Sequence, residues 1–103
     1  MTRDEFVNSI EKFYAGGVGI LKLKNQDYAG DQDPWANFRW SEIAGVDVPH
    51  AIMVRILDKM ARISNLLKRD GVVEDEKITD TIQDCANYLA ILHSYLLNES
   101  SKK

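Results

Sequence analysis

An all-α fold is what this sequence predicts. Apolar residues recur at three- and four-residue spacing over three long segments, residues typical of caps and turns separate those segments, and no stretch alternates convincingly as a strand does. The first segment starts at Thr2, followed three residues later by Glu5 in a capping-box pattern, and continues through Phe6, Ile10, Phe13, Gly17 and Leu21. Gly16, Gly17 and Gly19 each weaken this helix by roughly 1 kcal/mol relative to Ala, which allows a kink or break there. Gly17 lies on the apolar stripe and permits close approach by another helix. Beyond Leu21 the stripe reaches Lys24 and Tyr28, so a lysine and a tyrosine stand where core residues are expected.

Asp33 suits the cap of a short aromatic helix with Pro34 at its first position, running through Trp35, Phe38 and Ile43 until Gly45 ends it. Pro49, in the first turn after Asp47, opens a second long helix with Ile52, Ile56, Met60, Ile63, Leu66 and Leu67 on its stripe. Arg69-Asp70-Gly71 closes it. The acidic run Glu74-Asp75-Glu76 favours the positive end of a third helix, which carries Ile78, Ile82, Cys85, Leu89, Leu92 and Leu96 on one face. Asn98 to Lys103 reads as a frayed tail. The chain is thus a single domain over residues 1–103, a small bundle of three main helices plus one short aromatic helix.

Composition narrows the function. A net charge of −3 and a pI near 5.3 provide no overall basic field, which argues against a nucleic-acid partner. One cysteine and two separated histidines supply neither an internal disulfide nor a Cys/His metal site. With no signal pattern and no apolar run near the ~20 residues needed to span a bilayer, the expectation is a cytoplasmic protein without a membrane partner.

Several charges stand in unusual places. Lys59 falls inside the apolar stripe of the second helix and needs an anion, while Arg55, Asp58, Arg62, Asn65 and Arg69 form a polar edge beside it. The third helix carries Asp80, Asp84 and Asn87 away from its main apolar face, yet Tyr88, Ile91 and Tyr95 share or adjoin that side. A surface helix needs one apolar face, so the second is expected to lie under the loop, another subunit or a ligand, and a homo-oligomer is expected. Two readings stand side by side: ion pairs from Lys24, Lys59 or Arg62 to these carboxylates that satisfy one another, or a protected charged site.

Lys24-Asn25-x-Asp27-Tyr28-x-Gly30, Asp33-Pro34-Trp35-x-Asn37-Phe38-Arg39, Arg55-x-x-Asp58-Lys59-x-x-Arg62 and Asp80-Thr81-x-x-Asp84-x-x-Asn87-Tyr88 follow one another between Lys24 and Ile91. In this order and spacing they resemble the nucleotide modification associated domain, first type, a family of phages and prophages. The resemblance implies a link to nucleotides or modified bases, and an infected or lysogenic bacterial host. More distantly the chain is similar to the all-α nucleoside triphosphate pyrophosphatases, which hold magnesium with Glu-x-x-Glu on one helix and Glu-x-x-Asp on another. Here Asp58 stands alone on the second helix and Asp80 and Asp84 are four apart, so at least one expected carboxylate is absent.

The remaining residues suit a nucleotide. Lys24, Lys59, Arg62 and Arg39 can neutralise phosphates, Tyr28, Trp35, Phe38 and Tyr88 offer flat faces to a base, and Asn25, Asn37 and Asn87 can read its edges. Asp27 completes the candidate binding set through the family resemblance. No nucleophile and base are paired, Cys85 falls on the core face, and the glycines at 16–19 lack the ending of a Walker phosphate loop. The expectation is a phage-type nucleotide-binding protein that sequesters a nucleotide-derived signal in a host-defence interaction, or serves nucleotide modification. The alternatives are a pyrophosphohydrolase with magnesium on Asp58, Asp80 and Asp84, and a helical adaptor for a protein partner.

Overall fold

The computed structural model describes residues 1–28, 33–69 and 77–102, without the side chains of 26–28 and 77. It is helical throughout, with no strand among the described residues: α1 (Arg3–Tyr28), α2 (Ala36–Arg39), a 3₁₀ helix (Trp40–Ala44), α3 (Val48–Leu67) and α4 (Lys77–Ser101). The all-α expectation therefore holds. None of the described helices is long and apolar enough to cross a membrane.

Local chemistry explains where these elements begin. Glu5 N–H donates to Thr2 Oγ1 at 3.2 Å while the Glu5 carboxylate reaches back to the Thr2 amide at 3.4 Å, so the capping box forms. At α3, the Asp47 carboxylate accepts from His50 N–H at 2.9 Å and occupies one of the amides the first turn leaves unpaired. That bond, together with a 2.7 Å contact from the His50 ring, holds the Asp47 carboxyl below the usual carboxylate range, the backbone bond contributing most.

Four expectations are corrected. The glycines at 16, 17 and 19 do not break α1, which is one continuous helix. The aromatic helix is shorter than the pattern implied: only Ala36–Arg39 is α-helical, and a 3₁₀ segment carries the chain on to Gly45, whose φ of 78° closes it. Asp33 is not its cap residue, but its carboxylate accepts from Trp35 N–H at 3.1 Å and shapes the turn before it. Residues 98–101 continue α4 rather than fray, because neighbouring turns still supply their backbone partners. Gly71 and the Glu74–Glu76 run lie outside the described residues.

Packing centres on α4, which lies along α3 for most of its length and meets α1 over a shorter stretch. Val48, Ile52 and Ile56 of α3 and Cys85 of α4 form the buried core, with Ile63, Leu92, Tyr88 and Tyr95 packed around it. Met60, Leu67, Ile82, Leu89 and Leu96, expected in that core, are exposed. Two helices in contact bury one narrow seam each, and these residues lie on the flank beside it.

Across α4, α1 is held by a different chemistry. Gln83 Nε2 donates to Phe13 O at 2.8 Å and Asn87 Nδ2 donates to Gly17 O at 3.1 Å, so two amides one turn apart grip two carbonyls one turn apart. The buried Gly17 makes this possible, because a Cβ there would lie 2.8 Å from Asn87 Oδ1. The first ten residues are all exposed.

Candidate functional site

The crevice between α1 and α3, floored by α4 and roofed by α2, is a cleft of about 390 Å³. Such a volume falls within the range of small-molecule sites, roughly 300–1,000 Å³. From α1 come Leu21, Lys24 and Asn25; from the α2 region Pro34, Trp35, Asn37 and Phe38; from α3 Arg55. Its floor is Asp84, Asn87, Tyr88, Ile91 and Ser94 of α4, which recur at three- and four-residue spacing and so share one side of that helix.

The roof is fixed by aromatic packing and two hydrogen bonds. Phe38 meets Tyr88 edge to face with centroids 6.2 Å apart, and Trp35 meets Tyr95 in the same manner at 5.5 Å. Trp35 Nε1 donates to Ser94 Oγ at 3.2 Å, while Asn25 Nδ2 donates to Pro34 O at 2.9 Å and ties the end of α1 to the roof. The second apolar side of α4, formed by Tyr88, Ile91 and Tyr95, is therefore covered by this chain's own α2 region, so it gives no reason for another subunit there.

Electrostatically the floor turns on Asp84. Lys24 Nζ lies 3.8 Å from one carboxylate oxygen and Lys59 Nζ 3.5 Å from the other. Lys59 thus has the anion that its place in the apolar stripe demanded. Both contacts are longer than a good charge-assisted hydrogen bond, about 2.7–2.9 Å, so the trio is an open ion cluster. Among the described side chains, one carboxylate between two ammoniums leaves a unit of positive charge, and Arg55 on the cleft wall adds another, in a chain of net charge −3.

The candidate residues separate into three groups. Lys24, Asn25, Trp35, Asn37, Phe38, Asn87 and Tyr88 line the cleft, with Lys59 reaching its edge through Asp84. Asn25 and Asn87 spend their amide N–H groups on Pro34 and Gly17, so each is first a brace. Arg39 is outside the cleft: its guanidinium is bonded to Asp33 and lies 6.0 Å from the Tyr95 ring centroid. That bond holds the Asp33 carboxyl below its usual range and raises Arg39. Arg62 is exposed on α3 and does not line the cleft. The side chains of Asp27 and Tyr28 lie outside the described residues.

Among the described residues no group of three or more His, Cys, Asp or Glu side chains is placed to hold a metal. Asp58, Asp80 and Asp84 therefore do not make the magnesium cluster of the pyrophosphohydrolase alternative. Asp58 and Asp80 are exposed, whereas Asp84 is occupied by two lysines. Sequence reasoning missed Arg55 as a wall residue, and with it Leu21, Pro34, Ile91 and Ser94. Arg55 is four residues before Lys59 on one helical edge, which was the available signal.

Compared with known proteins, the chain matches no family model, no curated protein and no solved structure.

Proposed function

We propose that the cleft binds a phosphorylated nucleoside or a nucleotide-derived signal without consuming it, for sequestration or for handing on to a modifying enzyme. The observation that supports this is the meeting, in one cleft, of cations on the α1 and α3 walls with an aromatic roof. Among the described side chains, Lys24 and Arg55, with Lys59 at the edge, outnumber the carboxylate of Asp84 there, while Trp35, Phe38 and Tyr88 line the same cleft. A phosphate takes the cations and a base takes a ring face, with Asn37, exposed at the mouth, free to meet a polar edge. The phage and prophage family resemblance points to the same ligand class.

Passive binding suits the residues better than hydrolysis. A phosphoanhydride hydrolase of the magnesium type needs carboxylates free to take the ion, and Asp84 is engaged by two ammoniums. The test is calorimetric titration with a panel of nucleoside mono-, di- and triphosphates and cyclic dinucleotides, with magnesium and with chelator, followed by chromatography of the recovered ligand. Binding that survives chelation and returns the ligand intact is expected. Magnesium-dependent turnover lost in Asp84→Ala would replace this reading with hydrolysis, and the absence of binding across the panel would remove it.

A further inference from the structure

Among the described residues, nothing covers the flank of the α3–α4 hairpin opposite the cleft. Taken at 100° per residue, Leu57, Met60 and Leu67 lie on the side of α3 across its core seam from Arg55. By the same count, Ile82, Leu89 and Leu96 lie on the side of α4 across its core seam from Asp84 and Ile91. Both stripes therefore border the same flank. Their spacings of three and seven, and of seven and seven, keep one side of a helix aligned over several turns. Every one of these six residues is between 40% and 67% exposed.

Charge is distributed to match. The charged residues of α3, Arg55, Asp58, Lys59 and Arg62, all fall on the other side of that helix, as do Asp80 and Asp84 on α4. Among the described residues of α3 and α4 this flank carries no Asp, Glu, Lys or Arg, His93 standing beside Ile82 and Leu89, and so broad an apolar surface is unusual for a protein that stays alone in water. The molecule is also too open for its size. Its radius of gyration is 15.9 Å, where a globular chain of this length has about 13 Å. Its accessible surface is 7911 Å², where a folded monomer of 11.7 kDa exposes about 5,900 Å². The excess, about 2,000 Å² over the whole chain, is shared between this flank and the exposed start of α1, and burying part of it on each of two chains reaches the lower end of what obligate homodimers bury, about 2,000 Å² in total.

We infer that this flank is the interface between two copies of the chain, related by a two-fold axis. The two α3–α4 hairpins then form a four-helix arrangement with apolar stripes inside and the two clefts open on its outer sides. A second copy fits this face best, because among the described residues it is apolar with no Asp, Glu, Lys or Arg, and such a face is complementary to itself. The inference is independent of what occupies the cleft.

Sedimentation equilibrium and light scattering on the full chain at tens of micromolar test it, with Leu57→Glu and Leu89→Glu as variants on different helices and Phe6→Glu, on the exposed start of α1, as control. The expected results are a wild-type mass twice 11.7 kDa, retained by Phe6→Glu. Either interface variant should weaken the dimer by about 100-fold or more, because symmetry buries each new carboxylate twice, with helical circular dichroism preserved. A monomeric wild type overturns the inference whether or not the variants fold. So does an oligomer whose mass neither interface variant changes.

Discussion

On one flank of the α3–α4 hairpin Asp84 sits between Lys24 and Lys59 beneath Trp35 and Phe38; on the other, Leu57, Met60, Ile82 and Leu89 face outward with no charge among them. The same two helices supply both. On the first flank the chain covers its own apolar residues with the α2 region and leaves a cleft whose polar groups are partly engaged and partly available. On the second no described residue covers the stripe. Small helical proteins bury one seam per helix pair, so each additional apolar stripe must be satisfied by a further segment, a ligand or another chain. The difference between the flanks shows which stripe found a segment and which did not.

The largest contrast comes from truncating neighbours that face opposite ways. Ile56→Ala, within the buried seam, is expected to cost about 2–5 kcal/mol by urea denaturation. Leu57→Ala, on the open flank, should cost less than about 0.5 kcal/mol in dilute protein. Its cost should rise with protein concentration as the interface forms. Equal costs at all concentrations would erase the distinction between seam and flank.

An intermediate effect is expected where α1 crosses α4 at the edge of the cleft. Gly17→Ala places a Cβ 2.8 Å from Asn87 Oδ1 and should destabilise by about 1–3 kcal/mol, since the Asn87 clamp must move. Gly19→Ala meets nothing within 4 Å and should stabilise by up to about 1 kcal/mol through helix propensity. Thermal melts of the two variants with the same sign would contradict the packing described for α1.

The smallest effect belongs to the roof. The Arg39 guanidinium lowers the Asp33 carboxyl, so the stability this pair contributes is fully present above the ordinary value of 3.8 and is lost as pH falls through the lowered one. Both side chains are about a third exposed, so the contribution is less than about 1 kcal/mol. Tryptophan fluorescence in Trp40→Phe should report a loosening of Trp35 below about pH 4 that Asp33→Asn abolishes. A roof transition unchanged by that substitution would place its cause elsewhere.

Much of this architecture is legible in the sequence because it depends on local chemistry. The Thr2–Glu5 box, the Asp47 cap and the Gly45 stop concern groups a few residues apart, and periodicity then fills the helices between them. Periodicity also placed Lys59 within an apolar stripe and Gly17 at a helix crossing, and Asp84 and Asn87 occupy those places. Arg39 and Arg62 stand outside the cleft, and the sequence misses this for a common reason: residue type shows that a cation can hold phosphate, whereas only tertiary placement shows whether it faces the cleft. Periodicity points Met60, Leu89 and Leu96 at the core because it measures how apolar a face is, and two adjoining faces of one helix can both be apolar while a single neighbour covers one.

Opposite responses to substitution at Asp84 and Lys59 test the central claim, that the cleft is a passive site for a phosphorylated ligand, most directly. Titrating wild type, Asp84→Asn and Lys59→Ala in chelator with the tightest-binding nucleotide of the panel should give tighter binding for Asp84→Asn, because two ammoniums lose their internal competitor. Binding should be weaker for Lys59→Ala by about 10-fold, the factor for one charge-assisted contact of roughly 1.5 kcal/mol. Weaker binding in Asp84→Asn, or equal affinities in all three proteins, would contradict it.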